Sequence, residues 1–264
     1  MPRCLDDLLS KYKVYMLEFF KEDLIGVYLT GSIVFGEFYE GKSDIDCTVI
    51  LKSPLDINKL YIVEKIHQEI SAQYKNIPLE SQYITLDDIG KNETTAQPCY
   101  AYHDNKLSLG NYANEVTWYT LKKYSITITG VPADTLDIST SILDVKSYVK
   151  NNVNSYWRYW LNAARAPFSP KRICALTNWA IEWCVCGITR MYYTMMEGDI
   201  TSKGKAVEYG LICLPESTHK ILKEALRIRN GGKTKLYDSR YIRRKDMIGY
   251  MDYLIEVIQS IPVL

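Results

Sequence analysis

Three acidic residues in two short segments have the types and spacing of a divalent-metal site. Asp44 and Asp46 flank a single isoleucine, and Glu80 follows within the apolar run that starts at Leu79. Residues two apart on a strand point to the same face, about 7 Å apart, so Asp44 and Asp46 are expected to project together. Carboxylate oxygens together with substrate phosphates are the ligands that Mg²⁺ prefers. The pattern predicts that Asp44 and Asp46 bind magnesium.

A glycine–serine pair stands shortly before these carboxylates, at the end of another apolar run. Gly31 has no Cβ and lets the backbone approach a phosphate closely, while Ser32 adds a hydroxyl. A short helix is predicted to follow, and the free N–H groups at its start attract anions. We therefore expect Gly31, Ser32 and Ser43, which precedes the first aspartate, to bind a nucleotide. Two magnesium ions at such a site polarise the α-phosphorus and neutralise a departing pyrophosphate.

Glu80 interrupts a run that otherwise has the character of a buried strand. A buried charge is costly unless it is paired or used. If this strand lies beside the strand of Asp46, Glu80 can accept the proton of a hydroxyl that attacks the α-phosphorus in line. A charge on an edge strand is the structural alternative. The residues alone thus predict nucleotidyl transfer with Glu80 as the general base.

The elements that must position these residues divide the chain into two parts. Up to residue 138, apolar periodicity predicts helices over 5–20, 57–74 and 115–124 and strands over 25–29, 45–51, 79–86 and 125–129. Residues 90–114 show no clear period and are predicted to form a loop. Beyond residue 138 the periodicity is helical throughout, over 145–166, 175–196, 202–211, 220–229 and 241–258. We predict an α+β protein: residues 1–138 form a domain with a mixed sheet and residues 139–264 an all-α bundle.

Charge and composition exclude several classes of protein. The 264 residues include 32 Lys plus Arg and 31 Asp plus Glu, so bulk attraction to nucleic acid or to a membrane is not expected. The chain start lacks a signal-peptide pattern, and no apolar stretch reaches the roughly 18 residues of a membrane span. The seven cysteines lack the spacing of a disulfide framework. We expect a cytoplasmic protein; its oligomeric state stays open, with a monomer favoured.

At Gly31, Ser32, Asp44 and Asp46 the chain resembles the nucleotidyltransferase superfamily related to DNA polymerase β. Its second part is similar to the spectinomycin and streptomycin adenylyltransferases, through segments 189–194, 198–203 and 206–209. The resemblance implies a polymerase β-like domain followed by a helical domain, with ATP and magnesium held in the cleft between them. It also implies transfer of AMP from ATP to a hydroxyl of a small molecule, an aminoglycoside or aminocyclitol antibiotic, with release of pyrophosphate.

The resemblance also assigns roles to individual residues. In that family two aspartates bind magnesium, a strand glutamate is the base, and an arginine and a lysine of the helical domain contact the ATP phosphates. Carried over, these last two are Arg190 and Lys203. Lys203 stands in the first turn of a predicted helix, where anions are favoured, and Arg190 offers a planar fork suited to phosphate. Exposure of Lys203 to solvent and a surface salt bridge at Arg190 are the structural alternatives.

Three further residues are expected to contact the acceptor. Tyr112 ends a Leu-Gly-Asn-Tyr segment that resembles one whose aromatic residue packs on the antibiotic, and Asn178 and Glu182 precede Arg190 on one predicted helix. Known drug-modifying relatives enter this helix through Gly-Asp-Glu-Arg-Asn, which this chain lacks. Two alternatives therefore stay open: the same chemistry on a protein, an RNA or another metabolite, and a nucleotide-binding module without catalysis.

Overall fold

The N-terminal part of the chain is built on one mixed sheet, as predicted. The computed structural model describes residues 3–39, 41–92 and 95–263, and within them six strands pair in the order β5-β4-β3-β2-β1-β6. The strands are β1 Leu24–Leu29, β2 Ile45–Leu51, β3 Leu79–Thr85, β4 Cys99–His103, β5 Lys106–Gly110 and β6 Ile126–Gly130. β2 and β3 are parallel, and the other neighbours are antiparallel. With the helical second part, this confirms the α+β class.

Helices cover both faces of the sheet. Helices α1 Arg3–Phe20 and α2 Ile57–Gln73 pack on one face, where Tyr12 of α1 shares a buried cluster with Val27 and Val49. Helix α3 Glu115–Lys123 packs on the other face through Trp118 and Leu121, against Tyr28 and Ile50. Successive residues of one strand thus enter opposite cores. The central strands β1 and β2 therefore pack against helices on both faces of the sheet.

The predicted loop over residues 90–114 is wrong, because it contains the hairpin of β4 and β5. Asp104 and Asn105 form its two-residue turn with φ of 50° and 58°, a conformation that Asp and Asn tolerate better than most residues. The residues of β5 are half-buried or exposed at the edge of the sheet. Without a buried face, β5 has no strict apolar alternation for sequence reasoning to detect.

The second part of the described chain is helical. Its helices are α4 Ile142–Asn152, α5 Arg158–Arg165, α6 Pro170–Cys174, α7 Asn178–Glu197, α8 Lys203–Cys213, α9 His219–Arg229 and α10 Arg240–Ser260. A π-helical segment, Val153–Trp157, joins α4 to α5, so the helix predicted over 145–166 carries a bulge. The helix predicted from residue 175 instead starts at Asn178, where the Thr177 hydroxyl accepts the Ala180 N–H at 3.2 Å.

Contacts between Cα atoms divide the chain into two units, Met1–Ser141 and Ile142–Leu264. Each unit has its own buried apolar residues, such as Val49 in the first and Leu222 in the second. Among the helices that the structure describes, none has the length and apolar character needed to cross a membrane.

Candidate active site

Asp44, Asp46 and Glu80 meet at the N-terminal ends of the central strands β2 and β3. Asp46 is the register partner of Glu80 on the parallel strands β2 and β3. One carboxylate oxygen from each of the three residues lies within 4.8 Å of the others. Ile45 is fully buried, whereas the two aspartates beside it are only partly buried, as the alternation of a strand requires. Three convergent carboxylates form an oxygen-donor set of the kind that Mg²⁺ binds.

The glycine–serine turn lies directly against this carboxylate site. Gly31 follows the end of β1 with φ of 65°, and a Cβ built on it would stand 1.7 Å from Oδ2 of Asp46. The Thr30 N–H donates to the Asp46 carbonyl oxygen at 2.9 Å, which joins the turn to β2. Within the described residues, the buried Ser32 Oγ has no hydrogen-bond partner. The turn therefore requires glycine beside Asp46, and its next residue carries a buried hydroxyl without a partner among the described residues.

Ser43 shapes the loop that leads into β2. Its hydroxyl accepts the Tyr39 N–H at 3.0 Å and donates to the Glu37 carbonyl oxygen at 3.5 Å. These bonds brace the segment immediately before Asp44. Nucleotide binding by Ser43 stays a prediction.

Glu80 is oriented by the turn of the β4–β5 hairpin. The backbone N–H of Asp104 donates to Oε1 of Glu80 at 3.2 Å. Burial raises the pKa of Glu80 above its usual value, the Asp104 N–H opposes this rise, and the charges of Asp44 and Asp104 add to it. Sequence reasoning missed Asp104. The Asp-Asn pair between two short alternating runs was the available signal.

A cavity of about 200 Å³ opens beside Glu80. Lys42, Tyr102 and Asn105 are among the residues that line it. Tyr112 does not line this cavity: its hydroxyl shares a hydrogen bond with Ser108 at 2.6 Å, and its ring packs edge-on against His103. Tyr112 thus packs on the hairpin that orients Glu80, and its contact with an acceptor stays a prediction.

In the helical unit, Lys203 lies within the electrostatic influence of Arg190, Arg229 and Glu182. Arg229, the last residue of α9, donates from Nη1 to Oε1 of Glu182 at 3.2 Å. The Nζ of Lys203 lies 5.2 Å from the centroid of the Trp183 ring. Burial lowers the pKa of Lys203, as do the charges of Arg190 and Arg229, whereas Glu182 opposes this shift. We call Arg190, Lys203 and Arg229 the cation cluster.

Two of these cations were predicted, and Arg229 was missed. A basic residue at the end of a helix is ordinary, because it complements the helix dipole, so sequence alone gave no reason to single it out. Glu182 joins the predicted Arg190 and Lys203 within one network of charges.

Asn178 makes a different set of contacts from Glu182, although both residues lie on α7. Its Oδ1 accepts a hydrogen bond from Nη1 of Arg243 at 2.8 Å. Arg243 also donates to the buried Glu224 and to the Leu176 carbonyl oxygen. These bonds tie the start of α7 to α9 and α10. A contact between Asn178 and a substrate stays a prediction.

Comparisons with known proteins agree with the chemistry of these groups. Residues 9–94 match the family model described as nucleotidyltransferase domain, and residues 171–253 match that described as aminoglycoside adenylyltransferase, C-terminal domain. The chain thus joins a nucleotidyltransferase domain to a domain of the aminoglycoside adenylyltransferase C-terminal type, which supports the resemblance found in the sequence. It is therefore an enzyme, a nucleotidyltransferase. No curated protein matches the sequence significantly.

A solved structure shares the fold of this nucleotidyltransferase. A spectinomycin adenyltransferase from Enterococcus faecialis, solved with ATP and spectinomycin, is 15% identical with a TM-score of 0.69. The match covers 97% of this chain and 99% of that chain. A toxin–antitoxin structure with AMP-PNP is 14% identical over 56% of this chain and 92% of that one, with a TM-score of 0.31. The first likeness shows a shared fold, whereas the TM-score of the second is too low to indicate one.

Proposed function

We propose that this enzyme transfers AMP from ATP to a hydroxyl of an aminocyclitol or aminoglycoside antibiotic, of the spectinomycin or streptomycin type. The observation that carries the proposal is the convergence of Asp44, Asp46 and Glu80 beside the Gly31 turn. The match of residues 171–253 to the aminoglycoside adenylyltransferase C-terminal domain and the ligands of the spectinomycin enzyme support the choice of ATP and of the acceptor class.

Asp44 and Asp46 are proposed to hold two magnesium ions. Their fit rests on the chemistry of the donor set, since one carboxylate oxygen from each of Asp44, Asp46 and Glu80 lies within 4.8 Å of the others. When bound, magnesium neutralises charge on the nucleotide phosphates and on the departing pyrophosphate. The Ser32 hydroxyl, buried and without a partner in the described part of the chain, is suited to a phosphate oxygen.

The order of the site residues across the adjacent strands β1, β2, β3 and β4 supports one arrangement of ATP and acceptor. Gly31 follows the end of β1, and Asp44 and Asp46 flank the first residue of β2. Glu80 is the second residue of β3, and the β4–β5 turn carries Asp104. In-line displacement places the attacking oxygen opposite the leaving pyrophosphate. With the phosphates at the Gly31 end, the acceptor approaches from the hairpin side, where the cavity of about 200 Å³ lies.

Glu80 is proposed to act as the general base. Its carboxylate takes the proton of the acceptor hydroxyl while that oxygen forms the bond to the α-phosphorus, and the bond to pyrophosphate breaks. The Asp104 N–H holds Oε1 of Glu80, so Oε2 is the oxygen proposed to receive the proton. In the helical unit, Arg190 and Lys203 are proposed to bind the triphosphate.

The test is transfer of label from α-³²P-ATP to a panel of acceptors, with pyrophosphate release measured in parallel. The panel contains spectinomycin, streptomycin, other aminoglycosides, transfer RNA and protein. Labelling of an aminocyclitol or aminoglycoside supports the proposal. Labelling of RNA or protein alone would replace the acceptor class, and magnesium-dependent ATP binding without pyrophosphate release would favour a module without catalysis.

A further inference from the structure

Tyr112 belongs to a small cluster of side chains on the β4–β5 hairpin. Its hydroxyl shares a hydrogen bond with Oγ of Ser108 at 2.6 Å, and Nε2 of His103 lies 3.4 Å from the same Oγ. The rings of Tyr112 and His103 meet edge-on, with 5.5 Å between their centroids. We call Tyr112, Ser108 and His103 the hairpin cluster. It joins β4, β5 and the segment that follows β5.

The register of the sheet places the hairpin cluster on the same face as Glu80. Glu80 and Gln82 are two residues apart on β3 and share a face, and Gln82 is the register partner of Ala101 on β4. Residues directly opposite each other also share a face, and Ala101 lies opposite Ser108 and two residues before His103. Glu80, His103 and Ser108 therefore project from one face of the sheet.

Gly110, the last residue of β5, leaves room for the Tyr112 ring on this face. A Cβ built on Gly110 would stand 3.1 Å from Cε2 and from Cζ of that ring. Glycine in a strand often marks such a close approach. Tyr112 is thus positioned by a hydrogen bond, a ring contact and the surface of β5, all within one hairpin.

The turn of the same hairpin carries the group that orients Glu80. The Asp104 N–H donates to Oε1 of Glu80 at 3.2 Å, and Asp104 directly follows His103. The Asp104 side chain is 92% exposed, so the hairpin cluster is connected to Glu80 through the main chain. The position of a two-residue turn is set by its flanking strands, and β5 is the last strand of the sheet. Contacts between β4 and β5 therefore decide where this N–H lies.

We propose that Tyr112 is a positioning residue, which holds the β4–β5 hairpin so that the Asp104 N–H keeps Glu80 oriented for proton transfer. Tyr112 then acts on the rate of AMP transfer through Glu80, instead of packing on the acceptor as the resemblance implied. The inference rests on the proposed function, because it takes Glu80 to be the general base.

Steady-state kinetics of the full-length enzyme test the proposal, with the acceptor that the labelling panel identifies. Tyr112→Phe keeps the ring and loses the bond to Ser108, and Ser108→Ala removes the same bond from the other side. Each should decrease kcat about two- to tenfold, the scale of one hydrogen bond, while the KM values for ATP and acceptor stay unchanged. The double variant should lose no more than the weaker single variant, since both act through one bond.

A second tyrosine of the same unit provides the matched control. The Tyr15 hydroxyl on α1 donates to Oε2 of Glu69 on α2 at 2.6 Å, at an exposed position. Tyr15→Phe therefore removes a bond of the same length that is not part of the hairpin cluster. It should leave kcat and both KM values unchanged.

Hydrogen exchange of the Asp104 amide, measured by NMR without ligands, gives a readout that does not depend on activity. The bond to Glu80 should slow exchange of this N–H, and Glu80→Ala gives the rate without that bond. Tyr112→Phe and Ser108→Ala should increase the exchange rate at least twofold towards the Glu80→Ala value. Tyr15→Phe should not change it.

Two outcomes would overturn the proposal. An increased acceptor KM with an unchanged kcat in Tyr112→Phe would make Tyr112 an acceptor contact. Wild-type kinetics and wild-type exchange of the Asp104 amide in both variants would make the hairpin cluster purely structural. Failure of the proposed function is a separate result: no acceptor would receive AMP, although the exchange of the Asp104 amide would still respond to both substitutions.

Discussion

Asp46 lies directly opposite Glu80 where β2 and β3 pair in parallel. The distance between the proposed metal ligand and the proposed base is therefore set by the hydrogen-bond ladder of a sheet covered on both faces. Both residues stand near the starts of their strands: all later residues of β2 are buried, and buried residues alternate with half-buried ones at the start of β3. We expect this distance to be insensitive to changes in the surrounding loops. Isosteric replacement of either carboxylate should therefore change the activity of the enzyme without changing its fold.

Asp46→Asn should abolish AMP transfer while leaving the fold intact. The amide keeps the shape of the side chain but loses the charge that magnesium requires. We expect the rate to decrease by about a hundredfold or more, at a scale typical of lost transition-state contacts. Asp87→Asn, an exposed carboxylate just after β3, is the control and should keep full activity. An active Asp46→Asn enzyme would refute the metal assignment.

Gly31→Ala should reduce both stability and activity. The methyl group meets Asp46 Oδ2 at 1.7 Å in the present geometry, and the φ of 65° is strained for any residue with a Cβ. Gly36→Ala separates these causes, because φ is 75° there and nothing lies within 4 Å of the added Cβ.

We expect Gly36→Ala to lose about 1 kcal/mol of unfolding free energy and keep its activity. Gly31→Ala should lose more stability and also the activity. Urea unfolding and the transfer assay measure the two effects. Equal activities of the two variants would contradict the contact with Asp46.

His67 should make the stability of the protein depend on pH. Its imidazole is buried, and Nε2 lies 2.9 Å from the Tyr83 hydroxyl. The ring stacks on that of Tyr102, with 4.0 Å between the two ring centroids. Burial lowers the pKa of His67 from 6.5 to about 3. The folded protein therefore keeps this histidine neutral at pH values where the unfolded chain protonates it.

Since the unfolded chain binds the extra proton below pH 6.5, stability should decrease as the pH falls from there towards 3, by about 1.4 kcal/mol per unit. His67→Gln cannot take up this proton. The stability advantage of the wild type over His67→Gln should thus shrink by about 2 kcal/mol between pH 7.5 and pH 5. Denaturant titrations at the two pH values measure it, and a constant difference would argue against a neutral buried imidazole.

Glu224→Gln should destabilise the helical unit. Glu224 is fully buried and accepts hydrogen bonds from Arg227 at 2.7 and 2.9 Å and from Arg243 at 3.1 Å. Removal of its charge leaves two guanidinium groups without their shared partner, and breaking a buried ion pair costs about 3–5 kcal/mol.

Glu256→Gln, at an exposed ion pair with Arg158, should cost less than about 1 kcal/mol. Thermal unfolding of both variants gives the comparison. Similar melting temperatures would show that the Glu224 cluster contributes little to stability.

The elements that could be predicted from the sequence are those whose apolar residues are spaced by burial of one face or of the whole strand. Buried strands such as β2 and long amphipathic helices such as α1 follow directly from their apolar patterns. The hairpin of β4 and β5 was not predicted, because the edge strand β5 has no buried face and therefore no alternation of apolar and polar residues. The adjacency of Asp46 and Glu80 was conditional on strand pairing, which periodicity does not determine.

The cation cluster shows a second limit. Lys203 was recognisable because a basic residue at a helix start contradicts the dipole, whereas Arg229 at a helix end obeys it. Its partner Glu182 comes from a helix 47 residues away in sequence. Such pairs depend on how helices pack, and no local pattern encodes them.

The two-residue turn at Asp104 and Asn105 can hold Glu80 while its own side chains vary. It stands at the far side of the carboxylates from Gly31 and touches the base through a main-chain amide, whose presence does not depend on the side chain at that position. Under the proposed function, mutations that vary the side chains of this hairpin can therefore change which acceptors bind without changing the Gly31 turn, where the phosphates of ATP are proposed to lie.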